Sequence, residues 1–277
     1  MIAIVGLGVI GGSYAMALRR AGYDQVCAID TDQQTLDKAL AMNLICAGST
    51  DGRQLLHQAD LIILAIYPHS VVGFLREHAA DFKPGSVITD ATGVKSQLAR
   101  EIEDILPPEV DFVMGHPMAG REKKGLDFAS DRVFQGANYI LTPTARNSEQ
   151  NLQKIEKLAL ELGFRRVERI TPEQHDEIIA FTSQLPHALA VALINSDREG
   201  RETSRFVGDS YRDLTRIANI NAGLWSELFL QNKAYLLEAI EGFEAQLDLL
   251  KEAIRREDRA ALVERFEESS RRRAAMD

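Results

Sequence analysis

Ile2-Ala3-Ile4-Val5-Gly6-Leu7-Gly8-Val9-Ile10-Gly11-Gly12 opens the chain and decides its fold class. Four apolar residues read as a strand buried on both faces. Three glycines at the spacing GxGxxG follow, and residues 13–21 carry a helical pattern. Glycines at that spacing are common. A strand before them and a helix after them make the pattern specific. Gly6 permits the tight turn, Gly8 lets a pyrophosphate approach the backbone, and Gly11 lets the helix pack on the strand. Leu7, Val9 and Ile10 fill the turn, whose N–H groups at the helix start favour a phosphate. Asp30 stands 19 residues after Gly11, at the end of the next strand pattern. A carboxylate there accepts both ribose hydroxyls of NAD and repels a 2′-phosphate. No Arg or Lys occurs in 31–37, so NADP is disfavoured. The same residues also fit an unliganded strand–helix turn, with Asp30 as a plain cap.

Outward from this turn, strand and helix patterns alternate. Strands are expected at 25–29, 61–66, 86–89, 111–114, 139–141 and 166–170, and helices at 35–42 and 151–162. Such alternation implies a doubly wound α/β fold with a parallel sheet. After Thr171-Pro172 only helical periodicity remains. Residues 178–195 form a mostly apolar stretch too long for a strand. Leu236, Ile240, Phe243, Leu247, Leu250 and Ile254 recur in alternating steps of four and three. That heptad seam suits either a core-facing helix or a helix–helix dimer interface. The expected division is residues 1–170, a nucleotide-binding domain, and 171–277, an all-α domain.

Composition narrows the function. The chain has 277 residues, 45% apolar and 26% charged, as in ordinary globular proteins. With 32 basic against 41 acidic side chains, the net charge is −9, which argues against nucleic-acid or anionic-membrane partners. The longest uninterrupted apolar runs fall far short of the ~20 residues of a membrane span, so no transmembrane helix is expected. A strand at the very start leaves no signal peptide, and Cys27 and Cys46 form no disulfide framework, so a cytoplasmic location is expected. No metal-binding spacing is present.

The second constellation is Met114-Gly115-His116-Pro117-Met118-Ala119-Gly120-Arg121-Glu122. It follows a sheet strand at its carboxyl end, where open α/β sheets bind ligands. His116, in a loop shaped by glycine and proline, could take a proton from a substrate hydroxyl as hydride leaves its carbon. It could equally be a hydrogen-bonded structural histidine. Asp90-Ala91-Thr92-Gly93-Val94-Lys95-Ser96 follows another strand, as cleft lining or a capped turn. In the helical half, His187 within Ser183-Gln184-Leu185-Pro186-His187 needs a hydrogen-bond partner. Arg216 within Asp213-Leu214-Thr215-Arg216 could clamp a carboxylate or pair with Asp213. Trp225 is a core anchor on its own showing.

Together these segments resemble the prephenate dehydrogenase family, which includes arogenate and cyclohexadienyl dehydrogenases. The resemblance rests on 6–12, on Gly115 to Glu122, on Leu185-Pro186-His187, and on Asp213-Leu214-Thr215-Arg216-Ile217-Ala218 with Trp225. It implies a Rossmann domain binding NAD, a helical dimerisation domain, and an active site between them. His116 looks like the catalytic histidine that bonds the ring hydroxyl, and Arg216 like the arginine that binds substrate carboxylate. His187 looks like the residue on the substrate side chain. Glu122 and Asp213 look like acidic members of a network around the arginine, and Trp225 like a support of the pocket. One departure matters. The family loop commonly reads DVGSVK, with a serine sharing the ring hydroxyl, but Gly93 stands at that place. Thr92 is the expected substitute, or else a water. The resemblance implies a homodimer acting on prephenate, or on arogenate. No mutase segment is expected before the glycine loop and no regulatory domain after the helices. Two rivals are a 3-hydroxyacid dehydrogenase, whose helical-domain lysine could here only be Lys233, in flanks that do not suggest the role, and a non-catalytic NAD sensor, which has no use for a base opposite a carboxylate clamp.

Overall fold

The computed structural model describes residues 1–120 and 123–276. In chain order the elements are β1 (Ile2–Val5), α1 (Val9–Arg20), β2 (Val26–Ile29), α2 (Gln33–Ala41), β3 (Ala47–Ser49), α3 (Arg53–Leu56), β4 (Leu61–Leu64), α4 (Pro68–Glu77), β5 (Val87–Asp90), α5 (Ser96–Ile102), β6 (Asp111–Val113), β7 (Gly115–Pro117), β8 (Asn138–Leu141), α6 (Glu149–Leu162) and β9 (Arg166–Arg169). The helical half follows as α7 (Pro172–Ile179), α8 (Leu185–Asn195), α9 (Asp209–Thr215), α10 (Ala222–Gln231), α11 (Lys233–Arg255) and α12 (Arg259–Ala274).

Six parallel strands form the main sheet in the order β3-β2-β1-β4-β5-β6. Strands β1, β2, β4 and β5 are buried along their whole length; the first three are unbroken apolar runs between two helical layers, and β5 ends on the polar pair Thr89-Asp90. The order reverses at β1, and the carboxyl ends of β1 and β4 flank the resulting crevice. One apolar core on one face joins α1 and α6 to the sheet through Tyr14, Leu18, Ile155 and Leu162. The other face packs Val71, Leu75, Leu98 and Ile102 against Ile62 and Ile88.

Two expectations need correction. The strand patterns do not all join one sheet: β7, β8 and β9 form a separate three-stranded sheet. The loop expected around His116 is itself strand β7, antiparallel to β8, with His116 opposite Ile140. Its three residues are too short to carry a periodic signal, and only pairing with β8 makes them a strand.

Thr171 begins the helical half with a capping box, accepting from the Gln174 N–H while the Gln174 side chain accepts from the Thr171 N–H. Helices α7 and α8 run on through a single π-helical turn at Ala180–Gln184. A turn with one residue too many shifts the face that the following helix presents. The combined stretch Pro172–Asn195 is long and apolar enough to cross a membrane by length and composition alone, with 28% of its most apolar window buried. It passes that test because its apolar residues are interrupted only by scattered polar ones, where uninterrupted runs had suggested no span. Its N-terminal turns are locked into the nucleotide-binding half through His175 and Asp176.

Candidate active site

The glycine turn has the shape that a dinucleotide requires. Gly6 adopts φ +86°, a left-handed conformation that side chains resist. A Cβ on Gly11 would stand 1.8 Å from the Gly6 carbonyl oxygen, so only glycine allows this helix–strand approach. A Cβ on Gly8 would meet nothing within 4 Å. Gly8 is the N-cap of α1 and supplies no side-chain cap, so the first N–H groups of the helix face that open space. Asp30 follows β2 directly. Its Oδ2 accepts the Leu7 N–H at 2.7 Å and its Oδ1 accepts the Asp32 N–H at 2.9 Å. The carboxylate is thus fixed beside the glycine turn. Open backbone at Gly8, uncapped N–H groups and a held carboxylate together fit a dinucleotide.

His116 sits on β7, half-buried. Its Nδ1 lies 2.8 Å from His175 Nε2, and His175 Nδ1 lies 2.7 Å from Asp176 Oδ1. Asp176 also accepts the backbone N–H groups of Lys95 and Ser96, each at 2.8 Å. Burial pushes the His116 imidazole well below the ordinary value of 6.5, and the electrostatic influence of His175 and Lys95 adds to this. Burial also lowers His175, against the pull of Asp176. At Asp176 burial acts upward, but hydrogen bonds from His175 and Ser96 prevail and keep the carboxyl below its usual range.

Beneath His116 lies a second polar cluster. Lys95 Nζ donates to Asp90 Oδ2 at 2.5 Å, to the Gly115 carbonyl at 2.6 Å and to Thr92 Oγ1 at 3.0 Å, with Lys95 and Asp90 fully buried. Asp90 Oδ1 accepts the Gly115 N–H at 3.0 Å. A buried ammonium is tolerated only when paired and hydrogen-bonded this thoroughly. Burial lowers the Lys95 ammonium, and Asp90 opposes that shift. The cluster clamps the backbone on both sides of the Gly115 peptide and so sets where His116 stands.

Thr92 belongs to that cluster, so the hydroxyl expected to stand in for the family serine is engaged with Asp90 and Lys95. Its hydroxyl donates to Asp90, accepts from Lys95, and lies 3.2 Å from the Val94 carbonyl, with the residue 4% exposed. It braces the turn after β5. Gly93 is the residue that faces the imidazole: a Cβ there would stand 3.8 Å from His116 Nε2 and 3.3 Å from Leu228 of α10. The helical half therefore reaches the same spot.

His187 donates from Nδ1 to the Ser183 carbonyl at 2.8 Å, and its ring stacks on Trp225 with centroids 3.6 Å apart. These two expected residues thus come together. Arg216 is exposed and starts a short 3₁₀ turn, Arg216–Ala218, that packs on α8, the helix carrying His187. Asp213 is exposed on α9 just before it. Glu122 lies outside the described residues.

Several participants carry no motif. His175 and Asp176 sit on α7 within an unremarkable polar turn, Pro172 to Glu177. The loop after β4 is tied to α10: Glu227 accepts the His69 N–H and lies 2.8 Å from His69 Nδ1, while Asn221 donates to the Tyr67 hydroxyl at 3.2 Å. Buried Asn232 donates to the Asp176 carbonyl and to Gln184 Oε1, each at 2.8 Å.

Comparison with known proteins identifies the family. Residues 14–168 match the family model "prephenate dehydrogenase, nucleotide-binding domain", and 171–268 match "prephenate dehydrogenase, dimerization domain". A cyclohexadienyl dehydrogenase of Zymomonas mobilis is 34% identical, over 99% of this chain and 95% of that protein. The crystal structure of Aquifex aeolicus prephenate dehydrogenase with hydroxyphenyl propionate and NAD+ superposes with a TM-score of 0.91 at 32% identity, covering 100% of this chain and 98% of the other. Synechocystis arogenate dehydrogenase gives a TM-score of 0.85 at 27% identity, covering 100% and 99%. The chain belongs to the prephenate dehydrogenase family of NAD-dependent oxidoreductases.

Proposed function

We propose that the chain catalyses the oxidative decarboxylation of prephenate to 4-hydroxyphenylpyruvate, with NAD as hydride acceptor, in tyrosine biosynthesis. The observation that carries this reading is that His116 Nε2 and Leu228 of the helical half both border Gly93. Prephenate is a cyclohexadiene with a ring hydroxyl and, across the ring, a carboxylate and a pyruvyl arm. Hydride leaves the hydroxyl-bearing carbon, the ring carboxylate departs as carbon dioxide, and the ring becomes aromatic. Little difficult chemistry is left to the protein. His116 accepts the hydroxyl proton, a role worth roughly 10²–10⁴-fold. Arg216 binds carboxylate through its fork of N–H donors; Asp213 and, by the family resemblance alone, Glu122 are the acidic residues assigned to it. His187, braced on Trp225, meets the side arm. Holding the carbinol carbon in place contributes about 7–11 kcal/mol in favourable systems.

The helical half would pair with a second copy, and a soluble cytoplasmic homodimer is the form we infer. Support comes from the exposed apolar side chains Phe206, Leu230 and Phe181, which a lone chain leaves in water. The test is NADH absorbance after adding NAD with prephenate, then NAD with arogenate. Turnover of prephenate at the higher kcat/KM is expected. Preference for arogenate, whose side arm bears an amino group, would move the substrate assignment. Turnover of neither would end it.

A further inference from the structure

We propose that His175 is a positioning residue that, backed by Asp176, locks His116 in the tautomer whose Nε2 carries a lone pair. The inference rests on the reading of His116 as the proton acceptor, and it follows from counting donors along one chain of contacts. Asp176 accepts backbone N–H groups on both oxygens, from Lys95 on Oδ1 and Ser96 on Oδ2. Such a carboxylate is ionised and has no proton to give. The contact from His175 Nδ1 to Asp176 Oδ1, 2.7 Å, is therefore a donation by the ring. A neutral imidazole has a single N–H, so His175 Nε2 holds a lone pair. His116 Nδ1 lies 2.8 Å from that lone pair and must supply the proton between them. Only Nε2 of His116 is then left as the acceptor, and it is the ring nitrogen on the Gly93 side, 3.8 Å from where a Cβ on Gly93 would stand.

Neutrality of both rings, which the count requires, suits their surroundings. His175 is wholly buried, and the Lys95 ammonium lies under the same turn. The relay is itself anchored, since Asn232 holds the Asp176 backbone carbonyl from the start of α11. Gly93 explains why the restraint falls on this side. With no side chain at residue 93, nothing there grips the imidazole from the Nε2 side, so its orientation is set through Nδ1. The second ring nitrogen commonly decides which tautomer a functional histidine adopts.

The direct test is long-range ¹⁵N–¹H correlation on protein labelled with ¹⁵N-histidine at neutral pH, with the His116 signals assigned by their loss in His116→Asn. His116 is expected as the Nδ1–H tautomer. An Nε2–H signal overturns the proposal, whatever the variants do. Kinetics supply the second arm. In His175→Leu, which removes the acceptor, kcat should fall about ten- to a hundredfold, the range typical of lost orienting partners, with KM for substrate and NAD within about twofold. His175→Gln, whose amide oxygen can accept the Nδ1 proton, should recover most of that turnover. Wild-type kcat in folded His175→Leu, or no recovery in His175→Gln, overturns the assignment. If His175→Leu does not fold, the wild-type spectrum decides alone. The tautomer is read without substrate, so failure to oxidise prephenate would count against the proposed function and leave this test intact.

Discussion

The nucleotide-binding half and the helical half bury their apolar residues in different ways. Both large core clusters draw only on residues up to 167. In the helical half, the seam residues Leu247 and Ile254 are exposed, while Leu236 is buried. The heptad seam is thus core at one end and uncovered surface at the other. The first half is finished within one chain and holds its polar site residues on fully buried scaffolding. The second half contributes exposed groups such as Arg216 and needs a cover. Substitutions in the first should therefore strike turnover and stability directly. Those in the second should strike substrate affinity and assembly.

The largest effect is expected at His116. His116→Asn should lower kcat by about 10²–10⁴-fold with substrate KM little changed, measured by NADH absorbance. The pH profile sharpens the point. A base whose folded pKa is depressed stays neutral below pH 6.5, so kcat/KM should hold level there and fall only at more acid pH. An acid limb at or above 6.5 would separate the catalytic base from this buried imidazole.

Next comes Lys95→Met, which leaves buried Asp90 without its ammonium partner. Breaking one partner of a buried pair costs about 3–5 kcal/mol, and urea unfolding should register it. A loss below about 1 kcal/mol would mean that the first half does not depend on its buried scaffold.

Arg216→Ala probes the other side. Loss of charged hydrogen bonds worth about 1.5–3 kcal/mol should raise substrate KM roughly 10–100-fold and leave KM for NAD alone. An unaltered substrate KM would remove the clamp. The mildest change is Leu230→Glu, at a residue 73% exposed in one chain. Sedimentation should find wild type at twice the 30.8 kDa chain mass and the variant shifted toward the monomer. A monomeric wild type would break the contrast between the two halves.

What could be read from sequence was what is local. The glycine turn, its strand and Asp30 lie within one supersecondary unit, so spacing alone conveys their geometry. The buried β4 run and the change to helical periodicity after Thr171-Pro172 are equally self-contained. The rest depends on contacts between distant segments. His116 meets His175 across 59 positions, and neither flank of His175 carries a motif. Strand β7 exists only because β8 pairs with it. Thr92 looked like a spare hydroxyl because Lys95 and Asp90, which engage it, are identified as its partners only by folding. The π-helical turn that links α7 to α8 follows from packing, and the residues within it are ordinary helix formers.

All of this reduces to an imidazole from one half and a guanidinium from the other acting on a single small acid. A crystal structure with NAD and 4-hydroxyphenylpyruvate tests it directly. The phenolic oxygen should lie within hydrogen-bond distance of His116 Nε2, with a carboxylate oxygen in reach of Arg216. A product molecule whose phenol points away from His116, or whose carboxylate is held without Arg216, would contradict it.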